Sequence, residues 1–184
     1  MCAGLSPGRE ICLSLRMKWN LLCLSFLLIA CQNPQKAELQ FDLKGKVVRI
    51  ADGDTFTLLT SDQQQVRVRL HGIDAPERKQ DFGQVARQAL SDLIFEQVVY
   101  VDEQEKDRYG RVVGIVYDAG KNSVNEEMLR SGLAWHYERY DNNARWKQLQ
   151  EEARQKRRGL WSQNNAIAPW EWRKEKADKA KSEE

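Results

Sequence analysis

Val66-Arg67-Val68-Arg69-Leu70-His71-Gly72-Ile73-Asp74-Ala75-Pro76-Glu77 is the stretch on which the fold turns. Its first six residues alternate strictly, and a period of two is that of a strand with one buried face. Val66, Val68 and Leu70 are sent to a core while Arg67, Arg69 and His71 line the other side. Gly72 to Glu77 then reads as a loop stiffened by Pro76. Upstream, Lys46-Val47-Val48-Arg49-Ile50 and Thr55-Phe56-Thr57-Leu58-Leu59 are rich in β-branched and apolar residues and flank the turn signal Asp52-Gly53. Downstream, Phe82, Val85, Ala86, Ala89, Leu90, Leu93 and Ile94 recur at helical spacing over Phe82 to Phe95. Two further strands are expected at Val98 to Asp102 and Val112 to Tyr117. A short helix is expected over Val124 to Ser131, stopped by Gly132, and a longer polar one from about Asn142 to Arg158, ended by Gly159. Five strands in a meander, with a helix between the third and fourth, predict a mainly β, α+β domain on a small closed barrel of the OB type. On pattern alone a flat α+β sheet is the alternative.

The 184-residue chain has room for one ordinary domain plus extensions. At its start the apolar run Leu21 to Ala30 follows Arg16 and Lys18 and ends at Cys31, which is the layout of a secretory signal. The run is short for a bilayer span. Leu28-Ile29-Ala30-Cys31 resembles the bacterial lipobox, whose cysteine is lipidated and becomes the first residue of the mature protein; the other readings are plain secretion and a buried apolar helix. Met17-Lys18-Trp19-Asn20 makes a more typical signal start than Met1, so Met17 is the expected initiator. The expected organisation is a signal peptide over 1–30, the lipidated Cys31 and linker over 31–43, one domain over 44–165 and a charged tail over 166–184. From Arg173 onward that tail lacks an apolar stripe and reads as a solvated or disordered extension.

Cys2, Cys12 and Cys23 would leave with the signal and Cys31 would be acylated, so no disulfide and no Cys-ligated zinc is expected. Loss of Arg9, Arg16, Lys18 and Glu10 with residues 1–30 turns 29 basic and 27 acidic side chains into 26 of each. Bulk charge therefore argues for no partner, and the case must rest on where charges sit.

Phosphodiester cleavage at an oxygen-ligated metal needs hard anionic ligands, cations that hold the scissile phosphate, and a group that orients or deprotonates water. Asp54 follows the Asp52-Gly53 turn, and Asp74 lies directly after the third strand. Two carboxylates with a carbonyl and waters suit a hard cation such as Ca²⁺ better than zinc. Arg69, on the face opposite the core valines, and Arg111, at the start of a later strand, offer planar guanidinium groups that can each grip two phosphate oxygens. Glu77, after Pro76, is a candidate acceptor for a proton from water. Singly, each of these residues reads more simply as a turn, strand or surface residue.

Together they resemble something definite. Ala51-Asp52-Gly53-Asp54-Thr55, Arg69-Leu70-His71-Gly72-Ile73-Asp74-Ala75-Pro76-Glu77 and Asp107-Arg108-Tyr109-Gly110-Arg111 are similar to the three signature blocks of the staphylococcal (thermonuclease, micrococcal) nuclease family. Val124 to Ala134 and Arg158-Gly159-Leu160-Trp161 continue the similarity in order and spacing, so about residues 44–165 are covered. The resemblance implies a five-stranded OB barrel that holds one Ca²⁺ through Asp54, Asp74 and the main-chain carbonyl of Ala75, with Asp52 behind them. It implies that Arg69 and Arg111 hold the phosphate and that Glu77 acts on water, in an endonuclease that cuts DNA and/or RNA to leave 3′-phosphate ends. Ala75 stands where many relatives carry threonine, which a carbonyl ligand tolerates. Trp135 to Tyr140 lies in a stretch one residue shorter than in the best-known member; Tyr137 and Tyr140 are candidate stacking residues there, and Arg108 a further substrate contact.

His71 and His136 read as structural or surface residues, and Trp161, Trp170 and Trp172 as anchors of the tail. Lys147, Arg154, Lys156, Arg157 and Arg158, interleaved with Glu151 and Glu152, read as a solvated face that can add backbone contacts to nucleic acid. The expected partners are DNA and/or RNA and, through Cys31, a membrane of the bacterial envelope facing away from the cytoplasm; the chain is expected to act as a monomer. The competing reading is a catalytically silent nucleic-acid- or protein-binding OB barrel in an envelope lipoprotein, which a missing catalytic position would favour.

Overall fold

The computed structural model describes residues 40–182. The expected signal segment, Cys31 and the expected linker up to residue 39 lie outside the described residues. Among those described, no helix is long and apolar enough to cross a membrane.

The alternating segments form β1 (Leu43–Ile50), β2 (Thr55–Thr60) and β3 (Gln65–Leu70), joined as antiparallel neighbours. After the two-residue strand β4 (Ile73–Asp74) and helix α1 (Gly83–Ile94) come β5 (Val98–Lys106) and β6 (Val112–Tyr117). The barrel closes in the order β1-β2-β3-β6-β5. A simple meander is therefore not what forms. β5 returns beside β1, with Gly45 opposite Val99, and β6 runs parallel to β3, with Val68 opposite Val112. Parallel neighbours need a long crossover, and α1 with β5 supplies it. Closure leaves no bare edge in a sheet this small, which is why the flat alternative does not arise.

β5 outlasts the expected Val98 to Asp102 by four residues. Its apolar positions end at Val101, but the antiparallel ribbon with β6 continues past the core through a bulge between Glu103 and Glu105. Backbone pairing alone holds that part, so no apolar period marks it.

Val47, Phe56, Leu58, Val68, Val99, Val101 and Val116 are fully buried inside the barrel. Ala86, Leu90 and Ile94 of α1 plug one part of it, as their spacing required, and Met128 and Leu129 of α2 (Val124–Arg130) another. Helix α3 (Ala144–Gln155) starts at Asn143, whose side chain accepts from the amides of Arg145 and Trp146. It ends three residues before the expected Arg158. A 3₁₀ turn, Gly159–Ser162, follows.

The largest departure is at the C-terminus. The tail forms helix α4 (Pro169–Ser182), with Pro169 at its first position. Lys, Glu and Ala are good helix formers, so a helix can form without an apolar stripe. Only its first turn is anchored: Trp170 stacks on Tyr137, ring centroids 4.7 Å apart and planes 7° from parallel, and meets Trp135 edge-on at 5.6 Å. Trp161 packs edge-on against Trp135 at 4.4 Å, in a small satellite core with Ala153 and Leu160 rather than in the barrel.

Candidate active site

The site forms where the β1–β2 turn, the end of β3 and the loop after β4 converge. Asp54 follows an Asx turn in which Asp52 Oδ1 accepts from the Asp54 amide at 3.2 Å. Its carboxylate is buried and accepts from Thr55 Oγ1 at 3.0 Å and from the Ala75 amide at 3.1 Å. The second bond spans to the loop that carries Asp74, so the two acids are fixed to one another. Gly53 makes the approach possible, because a β-carbon there would stand 2.8 Å from those of both Ala75 and Ala86.

Arg69 lies over both acids. Its Nη2 is 3.0 Å from Asp54 Oδ2 and donates to Asp74 Oδ1 at 2.7 Å. Burial pushes the Asp54 carboxyl up to about 6, against the pull of Arg69, and nearby Asp52 adds to the rise. Burial likewise raises Asp74, partly offset by a hydrogen bond from Arg173 and reinforced by Asp54. For Arg69, burial opposes the charge, but Asp54 and Asp74 outweigh it and raise the pKa.

Glu77 sits at the mouth of the site, its side chain 41% exposed. The Gln80 side chain holds its loop, accepting from the Glu77 amide at 3.1 Å and donating to the Ile167 carbonyl at 2.7 Å. Gly83 packs so closely on the Glu77 carbonyl that any β-carbon there would collide with it.

Arg111 is held by Asp107, to which its Nε donates at 2.7 Å. Burial of Asp107 is outweighed by hydrogen bonds from the Arg111 amide and side chain, and its pKa is lowered. Arg111 directly precedes β6, two residues before Val113, the β6 partner of Arg69. Tyr109, 64% exposed, lies beneath the guanidinium groups of Arg108 and Arg111, and Arg108 bonds its hydroxyl at 2.7 Å.

The sequence reading missed Arg173. From the first turns of α4 its guanidinium donates to Asp74 Oδ2 at 2.7 Å and to Glu77 Oε1 at 2.7 Å. The only local sign was Pro169-Trp170-Glu171-Trp172-Arg173, a helix start with two large anchors beside a cation. Trp170 covers one ring face of Tyr137, which also meets Tyr140 edge-on at 4.8 Å. Tyr140 itself is exposed. Arg154 is wedged against Trp161 and Trp135 at 4.2 and 5.0 Å, and Arg158 donates to the Arg130 carbonyl, so this part of the basic stretch is not a free face. His71 and His136, distant in sequence, meet at Asp141: His136 Nε2 lies 2.7 Å and His71 Nε2 3.9 Å from its carboxylate.

Among the described residues no group of three or more His, Cys, Asp or Glu side chains stands in a metal-holding arrangement. What the site offers is two buried carboxylates, hard oxygen donors that are already compensated by guanidinium cations. That donor set fits a hard cation completed by a main-chain carbonyl and water. A cavity of about 570 Å³ lies elsewhere, against Tyr117, Lys121, Glu126 and Arg130, and no acid or arginine of the site lines it.

A small closed barrel that buries paired acids beneath an arginine carries groups that a phosphodiester-cleaving enzyme can use. Residues 67–163 match the family described as staphylococcal nuclease homologue. A micrococcal nuclease of Shigella flexneri is 46% identical over 143 residues, covering 72% of this chain and 82% of the relative. Protein ParB of Escherichia coli is 46% identical over 144 residues, 73% and 81% of the two chains, and an uncharacterized endonuclease of the same species 44% over 135 residues, 73% and 88%. The chain belongs to the staphylococcal nuclease family and is a nuclease.

Proposed function

We propose that this nuclease is a Ca²⁺-dependent endonuclease that hydrolyses DNA and/or RNA to 3′-phosphate ends. The observation that carries the reading is the convergence of the buried Asp54 and Asp74 beneath Arg69. Asp54, Asp74 and the carbonyl of Ala75 would hold the ion, and Asp52 would keep Asp54 in place through its amide. When bound, the ion would neutralise charge on the phosphate and acidify water.

The chain's own residues would do the rest. In the present arrangement Arg69 and Arg111 are engaged with carboxylates, and a cation at Asp54 and Asp74 would free Arg69 to turn its donors to the phosphate. Arg111, kept oriented by Asp107, would take further phosphate oxygens. Glu77 would accept or orient the proton of the attacking water. The water oxygen bonds to phosphorus, the bond to the 5′ oxygen breaks with its electron pair going to that oxygen, and a proton completes the 5′-hydroxyl. The phosphate stays on the 3′ side. Arg108 and Tyr140 would contact neighbouring nucleotides, with Tyr137 backing Tyr140.

We further propose that Cys31 is lipidated after removal of residues 1–30, which would display a monomeric nuclease on the bacterial envelope facing away from the cytoplasm. The sequence around Cys31 supports this. A Cys31→Ser protein that still partitions with membranes would remove the anchor.

The test of the activity is digestion of single- and double-stranded DNA and RNA by the mature chain, with Ca²⁺ and with chelator, and analysis of the ends. Cleavage is expected only with the cation. No cleavage with any divalent cation, or full rates in Arg111→Gly and Glu77→Ser, would defeat the mechanism.

A further inference from the structure

Arg173 lies 99 residues from Asp74 in sequence, yet its guanidinium forks over the buried Asp74 and the half-exposed Glu77. One branch donates to Glu77 Oε1 at 2.7 Å and also lies 3.3 Å from Asp74 Oδ1; the other donates to Asp74 Oδ2 at 2.7 Å. Asp74 Oδ1 meanwhile accepts from Arg69. Both oxygens of a proposed cation ligand, and one of the proposed water-activating group, are thus taken by protein cations.

This contact is built rather than incidental. Trp170, three residues before Arg173, is stacked on Tyr137 and meets Trp135, while Ala168 is buried and the Ile167 carbonyl receives the Gln80 side chain. Gln80 also holds the Glu77 amide, so one side chain couples the start of α4 to the loop carrying the proposed base. Beyond Arg173 the helix is exposed to its described end. It has one anchored turn, and that turn delivers the guanidinium.

We propose that α4 is an autoinhibitory strap: Arg173 is a built-in cation that holds Asp74 and Glu77 and competes with a divalent cation for them. The proposal rests on the cation-site reading above. A guanidinium on Asp74 offsets the cost of burying that charge, as a metal would, but it activates nothing. A hydrogen bond donated to Glu77 engages an oxygen that would otherwise be free to accept a proton from water. Metal binding would have to compete with Arg173 for Asp74, so Arg173 raises the cation concentration at which the site fills.

The test is Ca²⁺ titration by calorimetry, with thermal unfolding in chelator and in saturating Ca²⁺, on the full mature chain. Arg173→Gln is expected to tighten Ca²⁺ binding about tenfold, since it removes a charge-assisted competitor from the ligand. Because the variant lacks its stand-in cation, it should melt lower than wild type in chelator and gain more from Ca²⁺. Arg173→Lys, which keeps the charge but loses the fork, should shift affinity in the same direction by less. Lys176→Gln, an exposed cation one turn onward, should match wild type. Equal or weaker Ca²⁺ affinity in Arg173→Gln, or an equal gain from Ca²⁺, would overturn the strap. Asp54→Asn separates the two readings. If it binds Ca²⁺ like wild type, the cation site is wrong and the strap falls with it; if it loses binding while Arg173→Gln does not gain, only the strap falls.

Discussion

The carboxylates of Asp54 and Asp74 share a single donor: Arg69 Nη2 lies 3.0 Å from Asp54 Oδ2 and 2.7 Å from Asp74 Oδ1. Arg69 is the guanidinium that serves both buried acids, with Arg173 added on Asp74 alone, and removing it should be costly. Arg69→Ala is expected to lower cleavage by at least about a hundredfold, the scale of losing a charge-stabilising donor. A single-turnover assay at saturating Ca²⁺ checks this, and near wild-type rates would show that Arg69 only balances the acids.

The raised Asp54 pKa has a defined sign in stability. Burial lifts it to about 6 from an ordinary 3.8, so between these values the folded protein holds a proton that the unfolded chain has lost. Stability contributed by the protonated acid is present at low pH and is lost as pH rises through 6. In chelator, Asp54→Asn should match wild type near pH 4 and become relatively more stable as pH rises to 6, by at most about 3 kcal/mol. Denaturant unfolding at several pH values measures the gap; a gap independent of pH would mean that Asp54 titrates alike in the folded and unfolded chain.

Arg111→Lys keeps the charge and loses the planar fork that both Asp107 and a phosphate would engage. Cleavage should fall by roughly ten- to a hundredfold while the fold survives, because lysine is a point charge where a bidentate grip is used. Kinetics alongside circular dichroism distinguish this from unfolding.

Gly83→Ala should disturb chemistry from a distance. The new methyl would collide with the Glu77 carbonyl, so the loop must shift. A loss of roughly 1–3 kcal/mol in stability is expected, as for overpacking, together with slower cleavage. Equal stability and activity would show that the helix start gives way instead.

Gln80→Leu removes the side chain that joins the Glu77 amide to the Ile167 carbonyl. Leaving those groups unpaired should cost roughly 1–3 kcal/mol. Hydrogen exchange should then quicken both at Glu77 and at the start of α4, and an effect on one end alone would break the proposed coupling.

The candidate site was legible because its signal is order and spacing along the chain: Asp54, Arg69, Asp74, Glu77 and Arg111 stand in three short blocks, each next to a strand end. Strand and helix positions were legible for a similar reason. The period of Val66, Val68 and Leu70, and that of Ala86, Leu90 and Ile94, records which side chains leave water, and that preference is local. The last four residues of β5 left no such trace, since the ribbon there is held by backbone bonds that any side chain permits.

By itself, then, the sequence determined a small α+β barrel and a set of acids and arginines suited to phosphodiester chemistry. Tertiary structure alone decided that β5 returns beside β1, that His71 and His136 meet at Asp141, that Trp170 covers Tyr137, and that Arg173 lies on Asp74 and Glu77. These contacts join segments whose local patterns are indifferent to one another. A charged stretch without an apolar stripe reads as solvated, and only the packing of its first turn shows that one of its arginines is held against the buried Asp74.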